Sequence, residues 1–310
     1  MVLSIGEILV DIFKSEQEEQ VFAGGAPFNI AANIAHFKGD ISFIGSVGND
    51  NYGAFLVEFA KKRVTNSYIK VLDDRETSQA IVSLHNGERS FKFNRSNGSD
   101  YLLDLEQVKE LDYKDIKIVH IGSLMLSYEE GKEFFFNAVE FVKRNTNAKV
   151  SFDVNYRDDI FESEEKAKEI FISAIKEADI LKFTEEELEL LTGEKDILKG
   201  LKSLLNDKQV AVVTLGKEGS IFYSKDLFIK VPTYPLKPMD TTGAGDAFYS
   251  YFLYSLDKGL DLSNKEDIYS ALKRANVVGG IATSKKGAID VAPSLEEIEV
   301  FLKSKNNWNY

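Results

Sequence analysis

Residues Met239 to Ser250 read MDTTGAGDAFYS, and the run Asp240-Thr-Thr-Gly-Ala-Gly-Asp246 has the residue types for anion chemistry. Three of the five prolines lie just upstream, in Val231 to Pro238, so that segment enters the loop stiff and non-helical. Downstream, Ala247 to Lys258 carries Phe248, Tyr251, Phe252, Leu253 and Leu256 at helical spacing. Gly243-Ala244-Gly245 is therefore expected at a helix N-terminus, where unpaired N–H groups and the dipole favour an anion. Asp246 or Thr242 as a simple cap would need neither glycine. Donors for a phosphate beside a carboxylate suit phosphoryl transfer to an alcohol, with Asp246 accepting the hydroxyl proton. Near the dipole end Asp246 is expected to stay ionised and to be a weak base, tolerable where positioning dominates catalysis.

Other constellations are less specific by themselves. Gly24-Gly25 before Pro27 and Asn29 reads as a close backbone approach followed by a helix start. Asp153-Val-Asn-Tyr-Arg157 closes a buried-looking strand, which makes Arg157 a candidate phosphate or substrate contact. Thr214-Leu-Gly216-Lys-Glu-Gly219 ends another strand in a glycine turn. Thr184 and Glu187 form a capping-box pair. His36, His85 and His120 have no metal-ligand spacing.

The elements that must position these groups alternate short apolar runs with amphipathic ones, the rhythm of an α/β fold with a largely parallel sheet. Expected strands are Val2–Val10, Ile41–Val47, Ile116–Ile121, Lys149–Val154, Ile180–Phe183 and Gln209–Leu215. Expected helices include Pro27–Phe37, Tyr52–Arg63, Glu129–Lys143 and Glu164–Lys176, with Leu260–Ser284 as more helix. Ser294–Lys303 closes the chain, Ser294 and Glu297 forming its capping box. Ala80 to Asn94 breaks the rhythm: Asn86-Gly87 between alternating runs predicts a β-hairpin with a type I′ turn. Leu9 to Phe22 is also extended, with a turn in Lys14 to Glu19.

At 310 residues, 44% hydrophobic with 22 Phe and 13 Tyr, the chain can form one large core. Its net charge of −12 argues against nucleic acid or an anionic membrane as partner. With no cysteine there is no disulfide, thiolate metal site or thiol nucleophile. No signal peptide and no run of about 18 apolar residues is present, so a cytoplasmic protein is expected.

Taken together, Gly24-Gly-Ala-Pro-Phe-Asn29 and Asp240 to Asp246, in this order, resemble the paired motifs of the ribokinase-like (PfkB) carbohydrate kinases, and among them fructokinases. The resemblance runs from Gly6-Glu7 to Gly287-Ala288. It implies a three-layer α/β/α domain over 1–310, with a central, mostly parallel sheet and a small β-sheet lid whose strands lie within 9–22 and 80–101. It implies that Asp11, Gly24, Gly25 and Asn29 bind the sugar, and that Gly243, Ala244 and Gly245 form the anion loop beside the base Asp246. Arg157, in a run similar to Asp-Pro-Asn-x-Arg with Val154 for Pro, and Arg95, before Ser-Asn-Gly-Ser-Asp-Tyr-Leu-Leu103, become substrate contacts. Thr214, Gly216 and Gly219, with Gly245, become the nucleotide-phosphate and ribose site, and Asn276 a further nucleotide contact. Glu187 would act on Mg²⁺ through water, with Thr184 standing where the family usually has Asn. Asp240, Thr242, Ala282 and Gly287 match a monovalent-cation (K⁺) site, although Val291 stands where some relatives have a serine ligand.

The function this implies is ATP-dependent transfer of the γ-phosphoryl group to a sugar hydroxymethyl group, fructose being favoured, by a monomer or homodimer. The alternatives are 2-keto-3-deoxygluconate kinase, with Arg95 and Arg157 clamping a carboxylate, another kinase of the family such as ribokinase, or a sugar-binding regulator on the same fold. A Walker loop is absent from the sequence.

Overall fold

The structure, a computed structural model, describes residues 1–14, 19–85, 88–284, 288–289 and 291–304. Its strands are β1 (Val2–Ile5), β2 (Leu9–Lys14), β3 (Glu19–Gly24), β4 (Ile41–Gly48), β5 (Asn66–Leu72), β6 (Gln79–His85), β7 (Glu88–Asn94), β8 (Ile118–Ile121), β9 (Lys149–Asp153), β10 (Ile180–Thr184), β11 (Val210–Thr214), β12 (Ser220–Tyr223) and β13 (Phe228–Val231). The helices are α1 (Ala26–His36), α2 (Asn51–Arg63), α3 (Leu105–Lys109), α4 (Glu129–Asn145), α5 (Glu164–Glu177), α6 (Glu185–Thr192), α7 (Ile197–Leu204), α8 (Ala244–Asp257), α9 (Lys265–Ala282) and α10 (Leu295–Ser304).

Nine strands form the main sheet in the order β13-β12-β11-β10-β9-β8-β1-β4-β5. It is parallel from β5 to β11, and only β12 and β13 run antiparallel to their neighbours. Side chains alternate across it: Val2, Ile118, Ile180 and Val212 pack with α1, α2, α8, α9 and α10, while Leu3, Val119, Leu181 and Val213 pack with α3 to α7. That period of two, with helices on both faces, makes the three layers. Chain order reverses beside β1, whose neighbours are β4 and β8, so the crevice beyond Ile5 and Ile121 is the expected ligand position.

A second sheet has the order β3-β2-β6-β7. Its two hairpins join through the parallel pair β2 and β6, with Asp11 opposite Ala80. The expected type I′ turn at Asn86-Gly87 and most of the Lys14–Glu19 turn lie outside the described residues.

Val2–Val10 is two strands, not one. β1 pairs with β4 and β8 only as far as Ile5, and Gly6, at φ 149°, turns the chain out toward the small sheet. β5 lies outside the expected strands: it is an edge strand of exposed and half-buried residues, and Ile69 is its residue packed against the core. Ser294 and Glu297 do form the capping box at α10, through bonds of 2.7 and 3.2 Å. No helix of the described residues is long and apolar enough to cross a membrane.

Asp50 pins the main sheet to the approach to β6. As N-cap of α2 its carboxylate accepts from Gly53 N, Thr77 N and Thr77 Oγ1, each at 2.8 Å, while Thr77 Oγ1 accepts from Gly48 N. Burial pulls its pKa up, but these hydrogen bonds outweigh that and set it below the usual carboxylate value. Stability from such a group is present above the unfolded-state pKa and lost as pH falls through the folded one. Asp50→Ala should therefore cost about 2 kcal/mol at neutral pH. In urea denaturation that difference should shrink toward zero in acid; an equal loss at both pH values would refute the charge-assisted cap.

Candidate active site

Helix α8 starts at Ala244, three residues earlier than its apolar pattern suggests, and no side chain caps it. Gly243 is the N-cap in the left-handed region, φ 71°, and a Cβ there would lie 2.7 Å from Ala288 Cα. Capping by Asp246 or Thr242 is thereby excluded. Gly245 has ordinary helical backbone; a Cβ on it would meet only Lys182 Cε and Nζ, at 3.5 and 3.6 Å. The two glycines thus do different things, one permitting the bend and the other keeping a face open beside an ammonium group. The preceding loop is braced internally: Asp240 Oδ1 accepts from Thr242 N and Oγ1 at 3.0 and 2.7 Å, and Met239 N and Asp240 N both donate to Thr283 O.

Asp246 sits in the first turn of α8 and is oriented by Asn29 of α1, whose Nδ2 donates to Oδ2 at 2.8 Å. Its pKa lies above the carboxylate norm: burial and Asp153 raise it more than the Asn29 bond, Lys182 and Arg157 lower it. The expectation of a weak base held down by the helix dipole is therefore corrected, because desolvation outweighs the dipole. Asn29 itself is buried, and its Oδ1 has no partner among the described residues. Gly25, the N-cap of α1, has φ 103°, and a Cβ there would collide with Glu7 O. Asp11 projects from β2 over Gly24, which any side chain would displace. Burial, with Asp246 and Asp240 adding to it and Arg157 opposing, pushes the Asp11 carboxyl up to about 7.

Lys182 opens the Lys182-Phe-Thr184-x-x-Glu187 run, where the sequence assigns it no role of its own. It is buried, its Nζ lies 2.8 Å from both Asp153 oxygens, and its ammonium group faces Gly245. A lysine inside a strand gave no local signal; its register opposite Asp153 on β9 was the missing fact. Glu187 accepts from Tyr156 N at 2.8 Å through Oε1 and from Thr184 N at 2.7 Å through Oε2, completing the capping box at α6. Asn155, at φ 40°, presents the Tyr156 amide to it. Arg157 follows, exposed, with Nη1 on Tyr156 O at 2.9 Å.

Thr214 lies beside Thr184 in register, and Gly216 and Gly219 turn the chain back into β12 with φ 52° and 107°. Asn276 is not solvated. Its Nδ2 donates to Val231 O at 3.1 Å, tying α9 to the end of β13, so as a nucleotide contact it has mainly its oxygen to offer. Arg95 departs furthest from expectation. It is 4% exposed, forks onto Asp100 through Nε and Nη2 at 3.0 and 2.7 Å, and also donates to Ser127 Oγ and Leu124 O. Tyr128 stacks over it. With its donors so committed, Arg95 braces the segment after β7 and is not placed as a substrate clamp. Of the cation set, Ala282 is buried at the end of α9, Val291 is buried, and Gly287 lies outside the described residues.

Among the described residues no group of three carboxylate or imidazole side chains could hold a metal ion directly. The geometry does fit Mg²⁺ brought with phosphates: each Glu187 oxygen has one N–H bond and a spare lone pair for a metal-bound water.

A family model described as "pfkB family carbohydrate kinase" matches residues 1–295. A relative named "Probable fructokinase-5" from Arabidopsis thaliana is 36% identical, over 99% of this chain and 98% of its own. The fructokinase of Xylella fastidiosa with bound ATP superposes with a TM-score of 0.90 at 28% identity, covering 99% of both chains. A double mutant of the Vibrio cholerae O395 fructokinase, in a fructose-, ADP- and potassium-bound form, gives 0.87 at 32% identity over 97% of both.

If Arg95 is structural, Arg95→Met should destabilise the protein by about 3–5 kcal/mol by leaving Asp100 buried without its cation. Guanidinium denaturation measures this. Unchanged stability with a weakened substrate KM would return Arg95 to the binding site.

Proposed function

The chain belongs to the pfkB family of carbohydrate kinases, and from that premise we propose that it is an ATP-dependent fructokinase, working in the cytoplasm as a monomer or homodimer. The observation that carries the mechanism is Asp246, held by Asn29 in the first turn of α8 beside the open face of Gly245 and Lys182. The sugar lies between the two sheets, its hydroxyls on Asp11, the Gly24–Gly25 backbone and Arg157. Its hydroxymethyl oxygen meets Asp246, which takes the proton as the new O–P bond forms and the bond from the γ-phosphorus to the bridging oxygen of ADP breaks. The developing charge is met by the amides of Gly243 to Gly245 and by Lys182. Thr214, Gly216 and Gly219 carry the nucleotide, with the Asn276 oxygen beside them. Mg²⁺, when bound with ATP, neutralises phosphate charge, and Glu187 with the Thr184 turn would hold its water. The potassium-bound form of a relative supports a monovalent cation, and the positions assigned to it here are Asp240, Thr242, Ala282 and Gly287.

The position of Arg95 weighs against 2-keto-3-deoxygluconate, since only Arg157 remains to meet a carboxylate. An intact Asp246 and anion loop weigh against a silent sugar-binding regulator. Phosphorylation of fructose, ribose, other ketoses and ketodeoxygluconate with ATP and Mg²⁺ tests the assignment. Preference for any substrate other than fructose would overturn it.

Asp246→Asn should keep the fold and ATP binding while kcat falls about 10²–10⁴-fold. In the parent enzyme kcat/KM should fall with acid through a pKa above the usual carboxylate range, since protonation removes the base. Near-normal turnover by the variant would remove Asp246 from that role.

The small sheet acts as the lid. Hydrogen exchange should show the amides of β6 and β7 gaining protection with sugar, and less with ATP alone. Protection that ignores sugar would make the sheet a fixed ornament.

A further inference from the structure

Glu7 is a buried acid that the mechanism above does not use. It lies in the three-residue segment Gly6-Glu7-Ile8 that leaves β1 in the main sheet and enters β2 in the small one, at the crevice where strand order reverses. It is 1% exposed, and neither Oε1 nor Oε2 has a partner from another described residue. Its carbonyl oxygen lies against Gly25, closely enough to forbid any side chain there, so Glu7 forms the floor of the loop assigned to the sugar. Its carboxyl crosses Gly122 at the end of β8, where a Cβ would come within 2.7 Å of Oε2. One residue therefore touches the hinge between the sheets, the sugar loop and the switch point of the main sheet.

A carboxylate so enclosed, with no other residue bonded to it, is too costly to keep ionised. Burial outweighs the hydrogen bond from its own backbone; Asp100 and Asp246 also oppose its ionisation, and Arg95, spent on Asp100, offsets them only in part.

We propose that Glu7 is a positioning residue that works as a neutral acid, seating the Gly24–Gly25 loop against the hinge, and that its ionisation unseats that loop and weakens sugar binding. Burial pushes this carboxyl up to about 8, so neutral and ionised forms exchange just above neutral pH. Charge on the Glu7 carboxyl, which lies by Gly122, would be drawn to Arg95 and would pull with it the backbone carbonyl that floors Gly25. The effect falls on the sugar and not on the chemical step, because Asp246 is held separately by Asn29. It is distinct from Asp11, whose ionisation near pH 7 should help sugar binding as pH rises.

The inference rests on the sugar site proposed above, and its test separates the two. Sugar KM and kcat are measured from about pH 6 to about pH 10 for the parent enzyme and Glu7→Gln. In the parent, KM should rise by up to about tenfold per pH unit beyond the Glu7 transition while kcat holds. In Glu7→Gln the alkaline rise should vanish and the acid limb of kcat remain. A parent KM without an alkaline rise, or the same rise in Glu7→Gln, overturns the proposal. NMR of the parent enzyme decides if the variant does not fold. The Gly6, Ile8 and Gly25 amides should shift together with one alkaline midpoint, and amides that stay still across that range overturn it equally. Fructose failing as a substrate would sink the proposed function, while the NMR titration would still report on Glu7.

Discussion

Negative charge is the constraint that organises the working end of this molecule. In a chain of net charge −12, Asp11, Asp153, Glu187, Asp240 and Asp246 lie close enough to act on one another's charge, around the C-terminal ends of parallel strands. Burial and mutual repulsion favour the neutral form of each, and a counter-group opposes that. Asp153 has Lys182, Glu187 has two backbone amides, Asp240 has Thr242, and Asp246 has Asn29. Behind them Asp100 has Arg95. Asp11 and Glu7 are left without such a partner, and these are the carboxyls driven up to about 7 and about 8.

Those pairings also connect the parts. Asn29 to Asp246 joins α1 to α8, so one helix start orients the acid in the first turn of the other. Tyr156 N–H to Glu187 joins the Arg157 loop to α6, made possible by the left-handed backbone of Asn155. Lys182 bridges Asp153 and the open face of Gly245. The elements on the two sides of the crevice are therefore joined by hydrogen bonds as well as by packing.

Much of this was legible in residue order. Glycine pairs, the proline at the start of α1, the Thr184–Glu187 box and the alternation of apolar runs are local signals, set by backbone dihedrals and by periodicity. They located the helix starts to within a few residues and placed Asp246 beside a glycine turn at a helix start. Edge strand β5 was not legible because none of its residues is fully buried, so no core-facing pattern marks it.

Which charged side chain meets which was not legible, because that depends on register between strands distant in sequence. Arg95 and Arg157 look alike in one dimension, each a cation beside an acidic or polar stretch; folding puts Asp100 against the first and leaves the second exposed. Lys182 becomes notable only opposite Asp153, and Glu7 only once β1 and β2 part into different sheets. The sequence by itself determined the layered α/β plan and the glycine turn with Asp246 beside it, because these follow from nearest-neighbour geometry and burial. The tertiary structure alone decided the protonation and pairing of the buried charges, because desolvation and Coulomb energy depend on distances that no spacing along the chain encodes.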